Sequence, residues 1–132
     1  MAPRLDMLGI TTDNLLESLR FYRLLGIDVP CAQGDEPYVE CALPGGLRLS
    51  WNAVEMVRKL DPSWQPPAGH RLGMAFLVDS PAEVDATWKA VTDEGFKSHR
   101  DPWDAFWGQR YAVVVDPDGN LVDLFAWLPK DA

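Results

Sequence analysis

The chain has 132 residues, of which 47% are hydrophobic and 24% are charged, and this composition is typical of one globular domain rather than a disordered segment. Acidic residues outnumber basic ones by 20 to 12, and the net charge of −8 makes nucleic acids and anionic membrane surfaces unfavourable partners. No apolar run is long enough for a membrane span or a secretion signal, so we expect a cytoplasmic protein.

The first half of the chain predicts one strand, one helix and then three short strands. A strand is expected over residues 6–12, and Asn14 followed by Glu17 has the pattern of a helix N-cap. Leucines at helical spacing give that helix an apolar face, and Gly26 is expected to end it. Three strands follow, the last two joined by a Pro-Gly-Gly turn: 27–29, 38–43 and 47–52.

Residues 58–70 interrupt this pattern with three prolines and a glycine, which predicts a connector or a loop. The pattern then starts again with a strand over 72–78 and a capping box, Ser80-Pro81-Ala82-Glu83, that begins a second helix. Trp88 lies on the apolar face of that helix and is predicted to be a core side chain. Three strands complete the chain, the last two joined by an Asp-Pro-Asp-Gly turn: 96–99, 109–115 and 121–127.

The two predicted helix caps, Asn14 and Ser80, are 66 residues apart, which is half of the chain length. This spacing predicts an internal duplication in which each half contributes one helix and four strands. Because such a half cannot cover both faces of its own sheet, we expect the halves to share a core within a single domain. We assign repeat one to residues 6–57 and repeat two to residues 71–128.

Two strings resemble the vicinal-oxygen-chelate superfamily, which includes glyoxalase I, extradiol dioxygenases and the fosfomycin and bleomycin resistance proteins. Residues 18–22 (SLRFY) resemble the first helix of that superfamily, and residues 116–120 (DPDGN) resemble its C-terminal hairpin. The resemblance covers residues 6–128. It implies an α+β fold in which tandem βαβββ repeats form a curved mixed sheet, as half-barrels, around a ligand cavity.

Enzymes of that superfamily hold a divalent metal on inward-facing strand positions. The resemblance places those positions on four residues of this chain: Met7, Arg48, Gly73 and Asp123. A thioether is too soft a ligand for such an ion, a guanidinium is cationic, and glycine has no side chain. We therefore expect no metal, no other cofactor and no catalytic residue, and we expect Arg48 to form a salt bridge with Asp123 at the place of the metal.

Longer strings, which extend into connecting loops, resemble the mitomycin-binding resistance proteins of the superfamily: 46–51 (GLRLSW), 61–65 (DPSWQ) and 102–111 (PWDAFWGQRY). This resemblance implies a homodimer that sequesters a planar antibiotic, mitomycin-like, quinoline-like or bleomycin-like, without catalysis. It implies that Tyr38, at a position where those relatives carry a histidine, and Trp107 hold the ligand between two flat side chains. The other candidate ligand contacts are Trp103, Phe106, Arg48, Trp51, Ser50, Gln109 and Tyr111.

Several alternatives remain open at this point. Trp103 and Phe106 crowd a loop-like segment and either fill the core or line the pocket, whereas Trp127 is expected to pack within the protein. Arg48 and Trp51 have opposite parity on one strand and should face opposite sides of the sheet. A metal-dependent lyase, isomerase or dioxygenase, and a metal-free carrier in antibiotic biosynthesis, are the alternative functions.

Overall fold

The computed structural model describes residues 2–130 of the chain. The chain divides into two compact units with the boundary between Pro66 and Pro67, at the midpoint of the sequence. The predicted α+β class is confirmed, because one unit contains a mixed sheet of three strands and the other a mixed sheet of four. In the part of the chain that the structure describes, no helix has the length and apolarity that crossing a membrane requires.

Unit 1 is a three-stranded sheet with the strand order β1-β3-β2, in which β1 is parallel to β3 and β2 is antiparallel to it. Its elements are β1 (Met7–Thr12), α1 (Leu15–Leu24), β2 (Tyr38–Ala42), β3 (Arg48–Ala53) and α2 (Val54–Leu60). The predicted N-cap of α1 is confirmed, since the Asn14 side chain accepts a hydrogen bond from the backbone N–H of Glu17 at 3.2 Å.

Two expectations for unit 1 are wrong. Residues 27–29 form no strand, because the Val29 N–H bonds to the Ile27 carbonyl only two residues earlier and this local turn replaces an extended ladder. Residues 54–60 form the helix α2, which overlaps the predicted connector. Arg58 and Lys59 stabilise the last turn of α2 through the helix dipole. The proline after Asp61 disfavours a helical conformation there, so the helix ends.

Unit 2 is a four-stranded sheet with the strand order β4-β7-β6-β5, in which only the β4–β7 pair is parallel. Its elements are β4 (Met74–Leu77), α3 (Pro81–Asp93), β5 (Lys97–Ala105), β6 (Gln109–Val115) and β7 (Leu121–Trp127). The predicted capping box is confirmed, since Ser80 Oγ accepts a hydrogen bond from the backbone N–H of Glu83 at 3.3 Å. Strand β5 is longer than predicted and carries two irregularities in its pairing with β6.

The alternation of side chains along β6 and β7 gives the sheet of unit 2 two different faces. Helix α3 packs on one face through the buried Val84 and Val91, and Arg110 reaches Asp85 on α3 from the same side at 3.0 Å. The even-numbered residues on that face are almost completely buried: Ala112, Val114, Val122, Leu124 and Ala126. The odd-numbered residues of both strands therefore lie on the face that α3 does not cover.

Trp88 is only half-buried, so the prediction of a core side chain is wrong. Its Nε1 donates a hydrogen bond to Ser98 Oγ at 2.8 Å, and Ser98 Oγ donates to the Asp101 carboxylate at 2.7 Å. The helical periodicity placed Trp88 correctly near the apolar stripe of α3. However, Trp88 lies at the edge of this stripe, where its indole N–H can donate to the polar Ser98. Part of the ring therefore remains exposed.

Candidate functional site

Five of the candidate ligand contacts come together in unit 2, at the end of the sheet where β5 turns into β6: Trp103, Phe106, Trp107, Gln109 and Tyr111. Trp103 and Tyr111 are direct partners in the strand register. The turn between the strands depends on Gly108, which has a φ of +90° and donates its N–H to the Ala105 carbonyl at 3.1 Å. This turn carries the Phe106 and Trp107 rings.

The rings of Trp103, Trp107 and Tyr111 form a triangle of edge-to-face contacts. The centroid distance to Tyr111 is 5.5 Å from Trp103 and 5.4 Å from Trp107, and the two indoles are 6.1 Å apart. Phe106 contacts Trp107 at 5.1 Å and is itself 97% exposed, while Trp107 is 45% exposed. The segment therefore forms an exposed aromatic surface and does not fill the core.

Gln109 orients the exposed indole of Trp107. The Trp107 Nε1 donates a hydrogen bond of 2.7 Å to Gln109 Oε1, two residues along the chain. Gln109 was predicted to contact a ligand, and this bond engages its amide oxygen with Trp107. Gln109 thus acts on the site through Trp107, by fixing the direction of its ring.

Strand β7 extends the aromatic surface with two rings that were not predicted as ligand contacts, those of Phe125 and Trp127. Phe125 stacks on Tyr111 with centroids 6.0 Å apart and planes at 24°, and Trp127 contacts the Phe125 edge at 6.5 Å. Trp127 is 64% exposed, so the expectation that it packs within the protein is wrong. The sequence does contain a pattern that indicates this, because Asp123, Phe125 and Trp127 alternate with buried residues and so lie on one face of β7. We call the six rings the aromatic face: Trp103, Phe106, Trp107, Tyr111, Phe125 and Trp127.

A single carboxylate, that of Asp123, lies on the same side of β7 as Phe125 and Trp127. The Tyr111 hydroxyl donates a hydrogen bond to Asp123 Oδ2 at 2.5 Å. Burial, together with this contact to a negative charge, raises the pKa of Tyr111 to about 12. Tyr111 therefore stays a neutral hydrogen-bond donor at physiological pH.

Three other candidates, Tyr38, Arg48 and Ser50, share one face of the sheet in unit 1. The Tyr38 hydroxyl contacts the Met7 sulfur at 3.2 Å, and the fully buried Ser50 Oγ lies 3.4 Å from the Asn52 amide nitrogen. Because Tyr38 and Trp107 belong to different units, their expected grip on one ligand stays a prediction.

Arg48 is engaged within unit 1, so the expected salt bridge with Asp123, which belongs to unit 2, stays a prediction. Arg48 bridges two carboxylates of its own unit, those of Asp6 and Glu40, each at 2.5 Å. These carboxylates, which accept hydrogen bonds from the guanidinium, raise the pKa of Arg48. Asp6 precedes the first strand and Glu40 is on β2, so the sheet register supplies partners that the linear sequence does not reveal.

Trp51 lies on the opposite side of β3 from Arg48, as their parity predicts. It is 0% exposed, and its ring meets that of Tyr22 on α1 at 5.9 Å. Trp51 is therefore a core residue of unit 1 and is not accessible to a ligand.

The family model of the Glyoxalase/Bleomycin resistance protein/Dioxygenase superfamily matches residues 4–124. The chain belongs to this superfamily. Among curated protein sequences, none matches the chain.

Solved structures of the superfamily share the fold at low sequence identity. A glyoxalase/bleomycin resistance protein/dioxygenase from Nocardioides is 23% identical with a TM-score of 0.74, covering 99% of this chain and 87% of that chain. A glyoxalase-related enzyme from Fulvimarina pelagi is 17% identical with a TM-score of 0.80, covering 95% and 88%. A lactoylglutathione lyase from Agrobacterium tumefaciens is 18% identical with a TM-score of 0.66, covering 95% and 94%.

The four residues that the resemblance places at the superfamily's metal positions do not have the chemistry to hold a divalent ion. The Met7 sulfur contacts the Tyr38 hydroxyl, and the Arg48 guanidinium brings a positive charge to its position. Gly73 has no side chain, and Asp123 is the one remaining oxygen ligand. Within residues 2–130, no three His, Cys, Asp or Glu side chains are grouped so that they could hold a metal. Such an ion needs several oxygen or nitrogen ligands.

We expect added Zn²⁺, Mn²⁺ or Ni²⁺ to leave the unfolding midpoint of this superfamily member unchanged. A specific site at 100-fold metal excess over its Kd would stabilise the fold by about 2.7 kcal/mol. Thermal unfolding with and without each ion, after treatment with a chelator, measures this effect. A stabilisation that saturates at one ion per chain and disappears in Asp123→Asn would contradict the expectation.

Proposed function

We propose that the protein binds a planar aromatic small molecule on the aromatic face and sequesters it without chemical change. The observation that carries this proposal is the exposure of large rings, including Trp107, on a sheet face that α3 leaves uncovered. Contiguous exposed apolar surface of this kind marks binding sites in proteins. The resemblance to resistance proteins adds the biological role, which is protection of a cell from an antibiotic.

The geometry of the rings favours a flat ligand. Each aromatic pair in a stacked or edge-to-face arrangement adds about 0.5–1.5 kcal/mol beyond the burial of area. The bond from Trp107 to Gln109 holds one indole in place before binding, which lowers the entropy that a ligand must overcome. A ligand of ~25–30 heavy atoms at about −0.3 kcal/mol per atom would bind with roughly micromolar affinity. Mitomycin-like, quinoline-like and bleomycin-like compounds are the candidates.

The polar groups beside the rings support binding rather than catalysis. Gln109 is engaged with Trp107, and the raised pKa of Tyr111 makes its hydroxyl a poor nucleophile and a poor base. We also propose that the chain acts as a homodimer. Strands β4 and β5 form the two edges of the sheet in unit 2, and edge strands present backbone groups that a second copy can pair with.

Trp107→Ala is expected to weaken binding of a planar antibiotic by at least about tenfold, because central aromatic anchors carry a large share of binding energy. Isothermal titration with mitomycin C, a quinoline antibiotic and bleomycin measures the Kd of each compound. The matched control is Trp64→Ala, which removes an indole that stacks with Arg58 in unit 1 and should leave the Kd unchanged. The proposal fails if no planar compound binds the wild type, or if Trp107→Ala binds as tightly as the wild type.

A further inference from the structure

Asp123 is an acidic group beside the aromatic face, on the middle of strand β7. Its partners in the strand register are Ala75 on β4 and Val113 on β6, neither of which carries a charge. On its own strand, Phe125 follows two positions later on the same side. The carboxylate is half-buried, so it is partly shielded from water and still open to a ligand. A charge in such a place interacts more strongly than one in open solvent.

The hydrogen bond from Tyr111 positions this carboxylate without neutralising it. A hydroxyl supplies one proton, whereas an ionised carboxylate offers about four acceptor positions on its two oxygens. Tyr111 uses Oδ2 and keeps its own proton, so the pair as a whole remains negatively charged. Tyr111 also contacts Trp103, Trp107 and Phe125, so the same residue links the carboxylate to the aromatic face.

Two arginines lie near this surface, and neither pairs with Asp123 among the contacts of the described residues of unit 2. Arg110 extends to the α3 side of the sheet, where it pairs with Asp85 and Asp104. Arg100 lies over the Trp103 ring with Cζ 3.7 Å from the centroid. This distance is within the range of a cation–π contact, so a ring of the aromatic face accommodates a planar cation on its π-face.

We propose that Asp123 makes the aromatic face selective for planar ligands that carry a protonated nitrogen. This inference rests on the proposed function and names its ligand class. A planar cation would stack on the rings, gain from their π-faces, and donate a charge-assisted N–H hydrogen bond to the carboxylate at its edge. The net charge of −8 would draw such a ligand toward the protein over a longer range.

Two probes of similar size and planarity separate the contribution of ligand charge to binding from that of ligand shape. 9-Aminoacridine is a cation at neutral pH, and acridone is neutral. Fluorescence polarisation of each probe gives its Kd without relying on the tryptophans of the protein. We expect the wild type to bind 9-aminoacridine at least about tenfold more tightly than acridone, since hydrogen bonds between ionised groups are about twice as strong as neutral ones. In Asp123→Asn the preference should fall to about twofold or less, with the acridone Kd unchanged.

Asp93→Asn is the matched control. It removes the same charge from the exposed end of α3, which packs on the other face of the sheet, and should keep the preference for 9-aminoacridine. Equal losses in Asp93→Asn and Asp123→Asn would assign the preference to net charge and overturn the inference. Should Asp123→Asn fail to fold, Asp123→Ser keeps an oxygen acceptor for Tyr111 and repeats the test without the charge.

The remaining outcomes separate the inference from the proposed function. If both probes bind the wild type with similar Kd, or if the preference survives in Asp123→Asn, the selectivity is refuted while binding of planar ligands stands. If neither probe nor any planar antibiotic binds, the proposed function is refuted and the inference falls with it.

Discussion

Trp51→Ala is expected to lower the free energy of unfolding by about 3–5 kcal/mol. Trp51 is completely buried between β3 and α1, where it contacts Tyr22, so truncation leaves a large cavity in unit 1. Domains of this size are stable by about 5–15 kcal/mol, so the variant should be close to the limit of folding. Urea denaturation followed by circular dichroism measures the loss.

Two matched variants separate this cavity effect from the mere loss of an indole. Trp127→Ala removes the same side chain from an exposed position and should cost about 1 kcal/mol or less. Trp51→Phe should cost less than Trp51→Ala, because a phenyl ring leaves a smaller cavity than a methyl group. Neither variant loses a hydrogen bond, since the Trp51 Nε1 has no partner within the described residues. Equal losses for Trp51→Ala and Trp127→Ala would contradict the assignment of Trp51 to the core.

Asp116→Ala is expected to cost about 2–4 kcal/mol, since hydrogen bonds to a buried charged group are worth more than neutral ones. Asp116 is 3% exposed and organises the turn between β6 and β7. Its Oδ1 accepts the backbone N–H groups of Asp118 at 2.9 Å and Asn120 at 2.8 Å, and its Oδ2 accepts the Asn120 amide at 2.8 Å. Removing the carboxylate leaves these donors without their partner.

Asp116→Asn should lower the free energy of unfolding by less than Asp116→Ala. Its amide oxygen can retain the two backbone bonds, but its NH₂ group would face the NH₂ group of Asn120, so a loss of about half that in Asp116→Ala is expected. The free energies of unfolding of the two variants from urea titrations check the order. A cost below about 1 kcal/mol for Asp116→Ala would show that the turn forms without its carboxylate.

Sequence patterns predicted correctly those features that depend on interactions between residues close together in the chain. The caps at Asn14 and Ser80 depend on a side chain and a backbone N–H three residues apart, and both are present. The strands β6 and β7 are found at the predicted bounds because the Asp116 turn and the alternation of buried valines define them. Local hydrogen bonding and period-two burial are visible in a single sequence.

The features that were missed depend on neighbours distant in sequence. Arg48 takes its partners from Asp6, 42 positions away, and from Glu40 across the hairpin. Nothing in the linear sequence indicates that Arg48 pairs with these two acids. For the site, the rings of residues 103–111 were identified from the resemblance, whereas Phe125 and Trp127 required the pairing of β6 with β7. Helix α2 has only seven residues, too few for a clear periodic pattern.

The two-sided character of the sheet in unit 2 has an evolutionary consequence. The buried aliphatic residues beneath α3 and the exposed rings occupy alternate positions of the same strands. Under the proposed function, a substitution at Phe125 or Trp127 would therefore change ligand selectivity while leaving the hydrophobic layer one residue away intact. New ligand specificities could therefore evolve through single substitutions at these exposed strand positions, without a prior stabilising mutation.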